Sequence, residues 1–73
     1  MAVMAITKHS VIVSGHRTSV SMEFQFWDEV MAVAARRGVS INDLVTEIDH
    51  HRDGNLSSAI RLFVLADLKR LSA

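Results

Sequence analysis

Residues Arg17-Thr18-Ser19-Val20-Ser21-Met22 alternate between polar and apolar side chains, and at Phe24 the period changes to that of a helix running to Gly38. Strict alternation places Thr18, Val20 and Met22 on one face of a strand and Arg17, Ser19 and Ser21 on the other. A single short strand has no ladder partner of its own. Its unpaired amides and carbonyls leave it unstable in water, so it must pair with something. The economical partner is the same strand of a second copy. An intramolecular hairpin is the alternative, in which Val11 to Ser14 fold back through Gly15-His16 as a two-residue turn.

A chain of 73 residues makes one small domain whose core alone is marginal, so oligomerisation is expected. The absence of cysteine removes disulfides, thiolate metal sites and thiol nucleophiles, and fits a reducing cytoplasm, the expected compartment. The absence of proline leaves long helices uninterrupted. Lysine plus arginine and aspartate plus glutamate balance at 8 each, so no whole-molecule positive field is present and any basic surface must be local. The opening Met1 to Ile6 is apolar but short and lacks a basic leader. No apolar run approaches the roughly 20 residues that cross a bilayer, and no membrane partner is expected.

Three regions follow from the pattern. Residues 1–16 read as an N-terminal arm, with Met1 to His9 frayed and Val11-Ile12-Val13 a short β-branched run before Gly15. Residues 17–53 read as a core of strand, helix, turn and helix. In the first helix Phe26, Trp27, Val30, Met31, Val33 and Ala34 recur at helical spacing to about Arg37, and Gly38 is its left-handed stop. Ser40 reads as the N-cap of a second helix with Asp43 as its capping-box partner, and Ile41, Leu44, Val45 and Ile48 form the apolar face until Asp53-Gly54. Residues 54–73 read as a third helix opened by Asn55 or Ser57 and reaching about Leu71. No internal repeat and no low-complexity segment stands out.

The order strand, helix, Gly-x-Ser turn, helix resembles the ribbon-helix-helix family of bacterial regulators, over about Arg17 to His51 without a gap. The segments GHRTSVSMEFQFW and GNLSSAIRLFVL also resemble a subgroup of short, single-domain bacterial proteins of that type. The resemblance implies a mainly α fold, a homodimer built on an intermolecular antiparallel β-ribbon, here with an extra C-terminal helix. It also implies sequence-specific binding of double-stranded DNA as a small transcriptional regulator, with the ribbon in the major groove. Carried onto this chain, Arg17, Ser19 and Ser21 contact bases. The turn and helix start at Val39, Ser40 and Ile41 contact phosphate. His16, flanking Arg17, is a further phosphate candidate. Val20 and Met22 match the inward sites, and Phe26, Val30 and Val33 the first-helix core.

Other chemistry is poorly supported. His50 and His51 are adjacent rather than facing, and with His9 they read as surface histidines, so no metal and no cofactor are expected. Asp28, Glu29, Glu47 and Asp49 lack a histidine or serine partner at catalytic spacing, and an enzyme is not expected. Arg36 and Arg37 read as a helix-end pair and Trp27 as a dimer-core anchor. In the third helix Leu56, Ile60, Phe63, Val64 and Leu71 form one face while Leu62, Leu65 and Ala66 populate the other, which calls for burial on both sides and points to a second subunit or a higher oligomer. The rival function is a non-DNA protein-interaction or oligomerisation module, antitoxin-like or an assembly element. A positive ribbon face with Lys8, His16 and Arg17 favours DNA over a protein partner. Asp43, in the first turn of the phosphate-facing helix, opposes it.

Overall fold

The computed structural model describes residues 5–51 and 54–72. They form β1 (Ile6–Val13), β2 (His16–Glu23), α1 (Phe24–Arg37), α2 (Ile41–His50) and α3 (Leu56–Ser72), a mainly helical chain with one two-stranded antiparallel sheet. β2 pairs with β1 from Val13↔His16 at the turn to Ile6↔Glu23 at the open end. Within one chain, therefore, the partner strand is local, where the sequence favoured a second copy. Closing a two-residue loop costs little chain entropy, so β1 takes one edge of β2 within the chain.

The turn is Ser14-Gly15, one residue earlier than the Gly15-His16 turn weighed from sequence. Ser14 and Gly15 have φ of +50° and +82°, the mirror-image turn whose twist suits right-handed strands. The change slides every cross-strand pair by two residues but keeps Val11 and Val13 on the inward face. Ile6 to His9, expected to fray, form half of β1, while Met1 to Met4 lie outside the described residues. Their polar run Thr7-Lys8-His9-Ser10 carries no strand signal until β2 stands beside it.

The inward face presents Val11, Val13, Val20 and Met22 to a core completed by Trp27, Val30, Val33 and Ala34 of α1, Leu44, Val45 and Ile48 of α2, and Ile60 and Val64 of α3. β1 and α3 thus supply buried side chains that a strand-helix-helix unit alone would lack, each stabilising by roughly 1.5–3 kcal/mol. Trp27 is anchored in the core of the chain itself, and His9 stacks on it with ring centroids 4.2 Å apart at 9°. That contact half-buries His9, expected at the surface.

α1 ends as read: Gly38 takes φ +69°, its N–H donates to the Ala35 carbonyl, and the Val39 N–H donates to the Ala34 carbonyl. These two bonds satisfy the last carbonyls of the helix. At the start of α2 the Ser40 Oγ accepts the Asp43 N–H at 3.0 Å. α2 ends at His50 with His51 as its cap; the expected stop at Asp53 lies outside the described residues. Asn55, not Ser57, caps α3, its Oδ1 accepting the Ser58 N–H at 2.8 Å.

One side of α3 packs inward through Ile60 and Val64, with Leu56, Ala59 and Phe63 partly covered. The other side is open: Leu62 is 66% exposed and Leu65 47%, and Leu71, expected on the buried face, is exposed as well. α3 is tied to α1 by Asp67, 6% exposed, whose carboxylate accepts from Arg36 and, at 3.0 Å, from Arg70. The Arg70 hydrogen bond lowers the Asp67 pKa below its ordinary 3.8, burial acts the other way, and the Arg36 charge adds to the lowering. A carboxyl whose pKa is lower folded than unfolded stabilises the fold above its unfolded value, and that contribution disappears as pH falls through the native value. Asp67→Asn should therefore reduce stability by about 1–3 kcal/mol at neutral pH, and melting followed from neutral pH down to below 3.8 should show the two proteins converging at the acid end.

Candidate nucleic-acid interface

The face of the hairpin turned from the core carries Lys8, Ser10 and Ile12 on β1 and Arg17, Ser19 and Ser21 on β2, all exposed. Register sets them in three facing pairs: Ile12↔Arg17, Ser10↔Ser19 and Lys8↔Ser21. The backbone of Ile12 turns outward to α2, so these rungs are the non-hydrogen-bonded kind, in which facing side chains stand closest. Arg17, Ser19 and Ser21 thus share one open face, as alternation required. Lys8 joins them, together with Ser10, which sequence reasoning missed because its strand had been read as an arm.

α2 is fastened to the free edge of β1 by a polar row at helical spacing. Asn42 Oδ1 accepts the Ile12 N–H at 3.0 Å, Thr46 Oγ1 donates to the Ile12 carbonyl at 3.4 Å and lies 3.3 Å from the Ser14 N–H, and His50 Nε2 meets Ser14 Oγ at 3.2 Å. These bonds blunt an edge strand that would otherwise invite pairing. They also bring the start of α2 beside the outward face: Ser10, Val11, Ile12, Arg17 and Asn42 line one shallow cavity of about 300 Å³. Arg17 and the positive end of the α2 dipole therefore border the same depression.

The candidate phosphate contacts separate on inspection. Ser40 and Ile41 lie at that helix start, and Ile41 belongs to the first turn, whose amides have no intrahelical acceptor. The Val39 N–H is already committed to the Ala34 carbonyl. His16, paired with Val13, falls on the opposite face from Arg17 and lines a second cavity of about 290 Å³ with Val13, Ser14, Thr18, Asp49 and Leu56. Asp43 is exposed at the first turn of α2.

Local charge is sorted although the net charge is zero. Arg36 and Arg70 engage Asp67, Arg37 approaches Glu47 at 3.8 Å, and Arg61 binds Glu23 at 3.0 Å. The Arg61 hydrogen bond is the main cause of a lowered Glu23 pKa, so this carboxylate at the open end of the hairpin already has a partner. Arg37 and Arg61 also lie over the rings of Phe63 and Phe26. Among the described residues Lys8 and Arg17 enter no ion pair. No group of three or more histidine or acidic side chains among them could hold a metal ion, and no helix among them is long and apolar enough to cross a membrane.

The model of the ribbon-helix-helix domain family matches residues 6–68, spanning both strands, α1, α2 and most of α3, and the chain belongs to that family. Proteins of this family are generally non-enzymatic DNA-binding transcription regulators or antitoxins. No curated protein and no solved structure matches the chain. The bonds from α2 are what hold the depression together, so Asn42→Ala should free the Ile12 amide. Hydrogen exchange at Ile12 should quicken with a stability loss of about 1 kcal/mol, and unchanged protection would show that α2 does not hold the hairpin.

Proposed function

We propose that this chain is a small bacterial transcriptional regulator of the cytoplasm that binds double-stranded DNA sequence-specifically, with the hairpin in the major groove. The observation that carries the reading is the open face bearing Lys8 and Arg17, neither of them ion-paired, beside the start of α2. A two-stranded ribbon fits the major groove, where arginine suits guanine and serine contacts any base edge. Arg17, Ser19 and Ser21 read bases. Ser40 and the Ile41 amide meet phosphate, with the dipole of α2 in support. No cofactor takes part.

Arg17→Ala should relax preference at one operator position by about 1–3 kcal/mol while the protein stays folded, because the side chain faces outward. A phosphate contact would instead weaken all sequences alike and reduce the salt slope by about 1. Asp43→Asn should raise affinity generally, since it removes a negative charge at the phosphate-facing helix start. Binding of all three proteins to selected and scrambled duplexes across salt concentrations separates these outcomes. A wild type with no affinity at low salt would assign the face to a protein partner, as an antitoxin-like or assembly module.

The open leucines of α3, Leu62, Leu65, Leu68 and Leu71, support a homodimer in which this helix meets its copy. Leu65→Glu would force a charge into that contact. It should lower the mass seen in sedimentation, and an unchanged mass would show the leucine row to be solvent-facing.

A further inference from the structure

Two arginines of the described chain lie over phenylalanine rings, and they differ in what their guanidinium groups bind. Arg61 stands 6.0 Å from the centre of the Phe26 ring. The Glu23 carboxylate takes two hydrogen bonds from it, from Nε at 3.0 Å and from Nη2 at 3.4 Å. Ring, guanidinium and carboxylate thus make one set, in which the flat fork of the arginine meets both carboxylate oxygens. Arg37 stands closer to its ring, 5.3 Å from the centre of Phe63. Among the described residues, however, it enters no hydrogen bond. The carboxylate it approaches, that of Glu47, is 3.8 Å away, and the two side chains are 43% and 59% exposed. A pair of that length and exposure holds neither partner firmly.

Beside Arg37 lies a shallow cavity of about 170 Å³, lined by Arg37, Phe63, Ala66, Asp67 and Arg70. Its walls join an aromatic ring and a methyl group to guanidinium groups from α1 and α3. Asp67 does not make the cavity acidic, because one of its oxygens accepts from Arg70 at 3.0 Å and the other from Arg36. Two cations against one anion leave that group positive, and Lys69 in the last turn of α3 adds to it. The volume suits a small organic molecule, since a cavity of about 150 Å³ accepts benzene.

We propose that this cavity binds a small organic carboxylate, with the carboxylate group on Arg37 and Arg70 and the apolar body on Phe63 and Ala66. Glu23 on Arg61 and Phe26 is the chain's own example of the contact. Convergent charged donors over an apolar floor fix orientation and supply affinity together. A bare inorganic anion gains nothing from the ring and the methyl group. None of the lining residues belongs to the hairpin, so the site stands or falls independently of DNA binding. The ligand ties the last turn of α1 to α3 and stabilises the fold by mass action.

The test uses the full chain, isotopically labelled for amide spectra, with benzoate as the probe. Benzamide supplies the shape without the charge, and inorganic phosphate the charge without the apolar body. Benzoate should shift the amides of Arg37, Phe63, Ala66 and Arg70 saturably in the millimolar range and raise the melting temperature, and both controls should bind about tenfold or more weakly. Arg37→Ala should lose about tenfold in benzoate affinity. Glu47→Gln should gain about threefold, because it removes the carboxylate that competes for Arg37, a gain that a purely structural role for Arg37 does not produce. Both changes are at exposed positions, and circular dichroism of each variant checks the fold. Shifts that do not saturate, benzamide or phosphate binding as well as benzoate, or an Arg37→Ala variant that binds like the wild type would each overturn the proposal.

Discussion

Both faces of the hairpin depend on one register, the Val13 and His16 pair closed by Ser14 and Gly15. Side chains alternate along a strand, so a slip of one residue would turn Lys8 and Ser10 into the core and Val11 and Val13 into water. The turn holds that register because both of its residues adopt positive φ, which glycine does freely and serine at modest cost. From this pairing follow the apolar underside that α1 and α3 cover and the polar upper face left open. A bare hairpin is marginal in water. Here it is secured by the helices beneath it and by α2 along its edge.

The fold also accounts for how a chain of zero net charge leaves Lys8 and Arg17 exposed and unpaired on one face. Four arginines, Arg36, Arg37, Arg61 and Arg70, engage carboxylates within the helical layer or at its junction with the hairpin. The Arg36–Asp67 pair binds α3 to α1, and the Arg61–Glu23 pair binds it to the end of β2. Glu23, at the open end of the hairpin, is drawn to Arg61. Electrostatic sorting of this kind is invisible in a sum of charges, because the sum does not record which charges cancel each other locally.

Much of the fold was legible beforehand. The period switch at Phe24, the Gly38 stop with its two capping bonds, and the Ser40 cap stand where alternation and capping rules put them. The outward placement of Arg17, Ser19 and Ser21 follows from period 2 alone. β1 was the main loss. Its first half is polar, and a polar run becomes a strand through a neighbour with a row of unpaired amides and carbonyls. Trp27 reads as an anchor from its sequence, and the fold buries it in the chain's own core. The apolar pattern of α3 is two-sided, and the chain by itself buries one side of that helix and leaves the other open.

The sequence by itself determined the local conformations, because alternation, helical periodicity, caps and left-handed glycines act over a few residues. It also determined the family, since those local signals recur in a characteristic order. The tertiary structure alone decided which strand pairs with β2, and with that the facing of Ser10 by Ser19 and the company of Lys8 with Arg17. It decided too that His16 turns to the far face, that the Val39 amide is spent on α1, and that Asn42 joins α2 to Ile12. Pairing, parity and long-range hydrogen bonds join residues far apart in the chain, and no window of sequence contains both partners.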